Sequence, residues 1–477
     1  MEAEGFRPEA IRVCSGRTTL LRIPSGQGVE SRQPAVLVLP QSTTERILAD
    51  RLAELGHEVE RPCEFVGCEP GADGVAVAVR AGDGSIRELR CEFLVGCDGA
   101  HSAVRHSLGL KFSGRTRPET FILCDAELSG PGMLPPEIHL FLSGSGPLPM
   151  LPIRERLWRI IGTRSSDAGT APPTIEEIQE CVDARGPGGL TCTSPVWLSA
   201  FRINERCVDR FRVGRVLLAG DAAHIHSPAG GQGMNTGLQD VANLGWKLAA
   251  ILRGGAEMEP VLESYTLERA PAAAKVIAEA SARTRLALLS SGPLSGLRAL
   301  ASAAVGRSPR LLERVARSLS GLQMACPMSA LVDSDHGWLE DWRPHGFPPG
   351  HRMRDVVVEE DGVPVSLLDQ VVGTPHLTLL LFSGRDPNYR DAEAIASLRS
   401  EIAGLSEWIT TLAIWRGGHA PDSSWLLDSD GGAHRRFGAT LPSACLLRPD
   451  GFVATRFQPV SMKPMAGFLR AFLRGQA

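Results

Sequence analysis

The sequence predicts an α/β protein of several modules: an open sheet, a sheet-rich lobe inserted into it, and a separate compact α/β module at the C-terminal end. Three observations predict it. Apolar runs of buried-strand character end in acid–glycine or glycine–acid turns at two distant places, FLVGCDG and VLLAGD, and each is followed by a helix signal. Between about 110 and 205, glycine and proline punctuate short strand-like pieces. The proline-rich stretch WRPHGFPPGHR at 342–352 then reads as a boundary before fresh strands and helices. At 477 residues the chain exceeds one ordinary hydrophobic core, and two to four domains are expected.

In chain order, the opening offers short strand-like pieces, VLVL at 36–39 being the clearest. A helix follows. Ser42 is placed to cap it with Glu45 three residues on, and Ile47, Leu48, Leu52 and Leu55 line one face. VAVAVRAGDGSIRELR at 75–90 alternates about a glycine turn as a hairpin does, and Glu92 to Cys97 forms the next strand. In the lobe, FILCDAEL, EIHLFL and LWRIIGT are strands, and 174–184 is a helix. VGRVLLAGD at 213–221 returns to buried-strand character. A long helix runs through TGLQDVANLGWKLAAIL, with Leu238, Val241, Leu244, Leu248 and Leu252 at helical spacing. Helical, alanine-rich sequence continues to about 320, with a broken surface helix at 286–305. Beyond the boundary lie the strand LTLLLF at 377–382, a helix near 390–402, the strand TLAIW at 411–415 and a hairpin around RPDGFVATRF.

Composition excludes several classes. Hydrophobic residues at 43% and charged residues at 22% describe a globular chain. A net charge of −4 without a basic stripe gives no pull toward nucleic acid. Eleven cysteines, odd in number and without a CxxC pair, form neither a disulfide framework nor a thiol-redox motif, and a reducing, cytoplasmic setting is expected. No window approaches the ~20 uncharged apolar residues of a membrane span. The opening MEAEGFRPEAIRV has no apolar core of a secretory signal.

The strongest chemical segment is GRVLLAGDAAHIHSPAGGQGMNTGLQDVANLGWKLA. Its strand delivers Asp221 at the carboxyl end, where ligands of open α/β sheets sit, and the carboxylate can accept a hydrogen bond from a ligand hydroxyl. Gly230, Gly231 and Gly233 let the backbone approach a ligand closely. Free N–H groups at the start of the following helix, past Met234 and Asn235, favour a carbonyl or phosphate. His224 and His226 with Asp221 lack the frame of a zinc motif, and no metal is expected. FLVGCDGAHSAVRHSLG repeats the design: Asp98 ends a strand, Gly99 permits a tight turn and Ser102 caps a helix. Its Arg105 either reaches an anionic group or pairs with Asp98. In LPQSTTERIL, Gln41 offers a donor and an acceptor to a heteroaromatic edge, or simply serves the turn. No GxSxG, HExxH or GKS/T occurs, so hydrolase and nucleotide-triphosphatase chemistry have nothing to rest on.

Together these residues resemble the FAD-dependent aromatic hydroxylases of the para-hydroxybenzoate-hydroxylase group. DGAHSAVRHSLGLKFSG resembles their DG motif, VGRVLLAGDAAHIHSPAGGQGMNTGLQDVANLGWKLA their GD motif, and LLRPDGFVATR the end of the third domain in phenol and polyketide hydroxylases. The resemblance implies an incomplete Rossmann-like FAD-binding domain in two parts, 1–109 and 206–340. It further implies a sheet-rich substrate domain at 110–205 and a thioredoxin-like domain at 341–477. It implies that Asp221 binds the ribityl chain of FAD, that Pro228 lies near the flavin ring, and that backbone from Gly230, Gly231, Gly233 and Met234 to Asn235 holds the pyrimidine edge. Asp98 would serve the pyrophosphate region and Gln41 would approach the flavin. NADH or NADPH would be the reductant and a small aromatic or polycyclic compound the substrate, hydroxylated with dioxygen. No catalytic base is assigned, and homo-oligomerisation is left open. Family members open with a strand, G-x-G-x-x-G and a helix; this sequence has no such motif near its start. The expectation is therefore of a truncated form that binds FAD weakly or not at all by itself. The rival readings are an inactive relative acting as a binding protein and a flavoprotein oxidoreductase that does not hydroxylate.

Overall fold

The computed structural model describes residues 1–27, 29, 34–164, 169–288, 305–306, 308–321, 325–326, 329, 331–332 and 346–473. Contacts divide the chain into two units. The first is Met1–Val208 with Asp221–Gly233 and Lys275–Gly321; the second is Asp209–Gly220 with Met234–Ala274 and Leu322–Ala477. Most of the expected broken helix at 286–305, and residues 342–345 of the proline-rich junction, lie outside the described residues.

The first unit opens with the hairpin β1 (Ala10–Ser15) and β2 (Thr18–Pro24). The run VLVL is not a strand; Val38 makes an isolated bridge to Phe6 between Pro34 and Pro40, which cannot donate to a ladder. Helix α1 (Gln41–Glu54) starts directly after extended Pro40, so Ser42 falls inside the first turn and cannot cap it. The expected apolar face of α1 is largely uncovered: Leu48 and Leu55 are exposed, and Thr44 is the buried position. Strands β3 (Cys63–Pro70), β4 (Val75–Ala81) and β5 (Ile86–Cys91) form an antiparallel meander that contains the predicted β4–β5 hairpin. Strand β6 (Leu94–Gly96) then leads to α2 (Ala103–Ser107), capped by Ser102 Oγ, which accepts from the Arg105 N–H at 2.9 Å.

The lobe is built on two 17-residue strands, β7 (Ser113–Ser129) and β11 (Thr191–Cys207). Between them come β8 (Ile138–Ser143), β9 (Gly146–Pro152), β10 (Leu157–Arg164) and α3 (Ile175–Arg185), whose N-cap is Thr174. The sheet order is β11-β7-β10-β9-β8-β1-β2. The opening hairpin thus belongs to the lobe's sheet, because β1 pairs in parallel with β8, Ile11 opposite Ile138. The period of two sorts the lobe's side chains. Ile122, Cys124 and Ile160 pack with Ile178 and Val182 of α3. Phe121, Leu123 and Asp125 stand on the other face, in register with Phe201, Ser199 and Trp197 on one side and Thr163, Ile161 and Arg159 on the other.

In the second unit, β12 (Arg212–Val213) and β13 (Val216–Leu218) form a short hairpin with β13 fully buried. Strand β14 (His224–Ile225) returns to the first unit and extends its sheet beyond β11. Helix α4 (Gly233–Leu252) and helix α5 (Met258–Leu288) follow, and α6 (Pro309–Ser320) packs Leu312 and Ala316 on Leu21 and Ile23 of β2. The C-terminal sheet has the order β16-β15-β19-β18-β17-β20-β21. Its strands are β15 (Val357–Glu360), β16 (Val363–Ser366), β17 (Leu377–Phe382), β18 (Ile409–Arg416), β19 (Trp425–Asp428), β20 (Ser443–Leu447) and β21 (Val453–Phe457). Strands β17, β18 and β19 run parallel; β20 and β21 form the predicted hairpin. Alternate residues of β17 enter two cores, Leu379 and Leu381 in one and Leu380 and Phe382 in the other.

Helix α4 reverses an expectation. Of its apolar stripe only Leu244 is buried, while Leu238, Val241 and Leu252 are exposed. The buried row is Thr236, Asp240, Asn243, Leu244, Lys247 and Ala250. Its polar members are satisfied by charges from elsewhere. Lys247 Nζ donates to Asn243 Oδ1 and Glu268 Oε2 at 2.9 and 3.0 Å, and Arg448 donates to both Glu268 oxygens at 2.7 and 2.8 Å. Asp450 accepts from Arg448, Asn243 and the Trp246 indole. Burial and the neighbouring Arg448 cation pull the Lys247 ammonium down to about 8, against the attraction of Glu268.

Candidate functional site

Both predicted acids, Asp98 and Asp221, belong to the first unit. Asp98 follows β6, is exposed, and its Oδ2 accepts from the Val104 N–H at 3.1 Å at the start of α2. Asp221 lies in a 3-10 turn just past β13, also exposed, and no hydrogen bond to its carboxylate is seen among the described residues. Arg105 connects the two loops. Its Nη1 donates to Ala222 O at 2.9 Å and its Nη2 to Ala100 O at 2.8 Å, with the guanidinium 4.0 Å over the Phe112 ring. The side chain is 2% exposed, and burial holds its pKa below the ordinary value despite the pull of Asp98. Arg105 makes no ion pair with Asp98 among the described residues; each terminal nitrogen donates to a backbone carbonyl instead.

The loop after β14 is clamped from α5 and α6. Ser227 Oγ shares a 2.5 Å hydrogen bond with Thr284 Oγ1 and accepts from the Ala229 N–H. Gly230 has φ +112°, and a Cβ there would stand 2.8 Å from Arg283 Nη1, so the position demands glycine. At Gly231 and Gly233 a Cβ would meet no atom within 4 Å. Among the described residues nothing fills the space in front of them, and Pro228 beside them is exposed. His226 Nδ1 donates to Ser227 O at 2.8 Å, which leaves Nε2 a buried acceptor without a partner among the described residues. Burial, with the nearby His224 and Arg283, pushes His226 below its ordinary pKa. His224 is buried on β14.

Met234 and Asn235 stand exposed in the first turn of α4, which begins at Gly233, three residues before the predicted Thr236. Gln41 is the first residue of α1, exposed, with its amide donating to Glu45 Oε1 at 3.0 Å. Open glycine backbone, an unengaged carboxylate at a strand end and a helix start fit a hydroxyl-rich, carbonyl-bearing group such as the ribityl–flavin end of FAD. Among the described residues no group of three His, Cys, Asp or Glu could hold a metal ion, and no helix is long and apolar enough to cross a membrane.

Sequence reading missed one constellation. Ser383, just past β17, meets His434 Nε2 at 3.3 Å, and His434 Nδ1 meets Asp428 Oδ2 at 2.7 Å. All three are fully buried and Asp428 also accepts from the Ala433 and His434 N–H groups. Without access for a substrate the arrangement braces the sheet end; no local motif marks residues 51 apart.

Residues 4–280 match the family described as FAD binding domain. The chain is 32% identical over 470 residues to 6-methylpretetramide 4-monooxygenase of Streptomyces rimosus, covering 95% of this chain and 79% of that one. Among solved structures it is similar to the anhydrotetracycline hydroxylase OxyS from Streptomyces rimosus, with TM-score 0.73, 28% identity, and 99% and 86% of the two chains covered. It is also similar to aklavinone-11 hydroxylase in its ternary complex with FAD and aklavinone, with TM-score 0.74, 25% identity, and 98% and 86% covered. The chain belongs to the FAD-binding-domain family, as one of its FAD-dependent aromatic and polyketide monooxygenases.

Proposed function

We propose that this protein hydroxylates a polycyclic aromatic, polyketide-type compound, using NADH or NADPH as reductant and dioxygen as oxidant. The observation that carries the placement of the cofactor is the Arg105 bridge, which fixes the Asp98 and Asp221 loops as one surface of the first unit. On this reading Asp221 accepts a hydrogen bond from a ribityl hydroxyl, and Asp98 serves the pyrophosphate region. Pro228 lies against the ring, while backbone from Gly230, Gly231 and Gly233 through Met234 to Asn235 meets its pyrimidine edge. Gln41 approaches the flavin only after releasing Glu45. Arg105 acts by holding the loops.

Bound FAD would supply the activation of dioxygen that amino-acid side chains cannot. The chain's own residues bind and orient. His226 is kept neutral by burial, and its Nε2 can accept a hydrogen bond. The lobe face bearing Phe121, Leu123, Ile161 and Phe201 suits a flat aromatic skeleton, with Phe121 and Phe201 stacked at 6.0 Å. At the far end of that face the Asp125–Arg159 pair, with Trp197 beside it, would meet polar substituents. The compounds named with the relatives, 6-methylpretetramide, anhydrotetracycline and aklavinone, guide the choice of class. The C-terminal module is proposed to be thioredoxin-like: β17, α7 (Tyr389–Glu401) and β18 form a parallel unit, and the β20–β21 hairpin is followed by a helix at Met462–Phe472. Ser383-Gly384-Arg385-Asp386 follows β17 and carries no thiol, so no redox role attaches to it.

The test is flavin titration of the folded chain, then NADH- and NADPH-dependent oxygen uptake with polycyclic phenols and mass analysis of the product. Product heavier by one oxygen supports the proposal. Folded protein that takes up no flavin would sink it, and flavin turnover without oxygen in the product would favour a non-hydroxylating oxidoreductase.

A further inference from the structure

We propose that Asp240, gripped by Arg269, is a positioning residue that sets the Gly220–Asp221 turn and so aims the Asp221 carboxylate at the cofactor. The inference rests on the reading of Asp221 as a cofactor ligand. Where β13 ends, its backbone loses ladder partners, and buried N–H and C=O groups must find others. Side chains of α4 and α5 provide them. Tyr265 OH donates to Leu218 O at 2.8 Å, and the Gly220 N–H donates to Asp240 Oδ2 at 3.0 Å. The other oxygen, Asp240 Oδ1, accepts from Arg269 Nε at 2.7 Å, and Arg269 Nη2 reaches Thr236 O at 3.4 Å. Tyr265 and Arg269 are one turn apart on α5, so a single helix face holds the strand end at two points.

The close approach is built into the sequence. Gly220 has φ +60°, and a Cβ on Gly237 would stand 3.2 Å from the Gly220 Cα. Larger residues would push the turn off α4. Asp240 and Arg269 are 0% and 1% exposed. A buried ion pair is weak evidence for stability, since apolar replacement is often neutral. What distinguishes this pair is where its second oxygen goes: to the peptide N–H one residue before the exposed acid of the site. A charge-assisted bond there fixes direction as well as energy.

The experiment compares Asp221→Ala, Asp240→Ala, their double variant, and Asp240→Asn with Arg269→Gln, which restores a neutral donor–acceptor pair of similar shape. Hydrogen exchange of the peptide spanning 216–222 is measured without FAD, and FAD affinity by flavin fluorescence. Asp240→Ala should lose protection at Gly220 and weaken FAD about ten- to a hundredfold, like Asp221→Ala. The double alanine variant should bind within about threefold of Asp221→Ala alone, because both changes act on one contact. The Asn–Gln pair should recover most of the protection and affinity. Unchanged exchange at Gly220 overturns the proposal, whether or not FAD binding is measurable. Multiplicative losses in the double variant overturn it too, as general loosening would give them. Wild-type affinity in Asp221→Ala instead overturns the ligand reading beneath it.

Discussion

At the residue scale the site depends on how few partners its acids have. Asp221 stands exposed at a strand end with its carboxylate unengaged, whereas Glu205 in the same unit is buried and held by Arg115 and Arg117 at 2.8 Å each. The second kind of acid is structural and the first is available. Asp221→Ala should therefore leave the fold intact while FAD binding loses roughly 1.5–3 kcal/mol, the value of a hydrogen bond to a charged group. Flavin titration alongside thermal melting checks this; equal affinity in folded variant and wild type removes Asp221 from the site. The two acids and the glycines were legible because strand-end acid and glycine-turn patterns are local. The role of Arg105 was not, since Ala222 lies 117 positions away and a carbonyl acceptor leaves no mark on sequence.

At the scale of elements, periodicity identified α4 and assigned it the wrong face. Spacing reports that a stripe exists but not what lies opposite, and here Glu268, Arg448 and Asp450 arrive from 21 to 207 residues away. The same blindness explains VLVL, apolar enough for a strand but flanked by prolines and paired only at Val38. The network's members should be unequal. Arg448 makes bonds to both carboxylates, so Arg448→Met strips Asp450 of its cation and leaves Glu268 to Lys247 alone, one net buried negative charge, and should cost about 3–5 kcal/mol. Lys247→Met leaves Glu268 still bonded by Arg448 and by Ser329, and should cost markedly less. Urea unfolding of the two variants decides the order; an equal or reversed ranking would contradict the assignment of Arg448 as the hub.

At the scale of the whole molecule, titration of the buried acids and histidines acts in one direction. Burial would raise Glu137, Glu205 and Asp428, but paired guanidinia hold the first two below the usual carboxyl range, and the His434 ring with two N–H groups holds the third. Each contributes stability above the unfolded value of about 4 that is lost as pH falls through the folded one. Burial also depresses His139 and His226, so the unfolded chain binds protons first below about 6.5 and stability falls there as well. The urea midpoint should decline from pH 7 to 5 and more steeply below 4; a midpoint that rises on acidification would refute this. The lobe's sheet has a different kind of consequence, for the order of synthesis. Its β1 strand pairs with residues 138–141, made more than a hundred residues later, and its far edge closes only with His224–Ile225. Contacts so distant along the chain are slow to form. During translation the opening hairpin must wait, one edge unpaired, until residues 138–141 have emerged. Protease probing of ribosome-stalled chains should find the hairpin cleavable when about 120 residues are exposed and protected once about 240 are; early protection would mean that it folds alone.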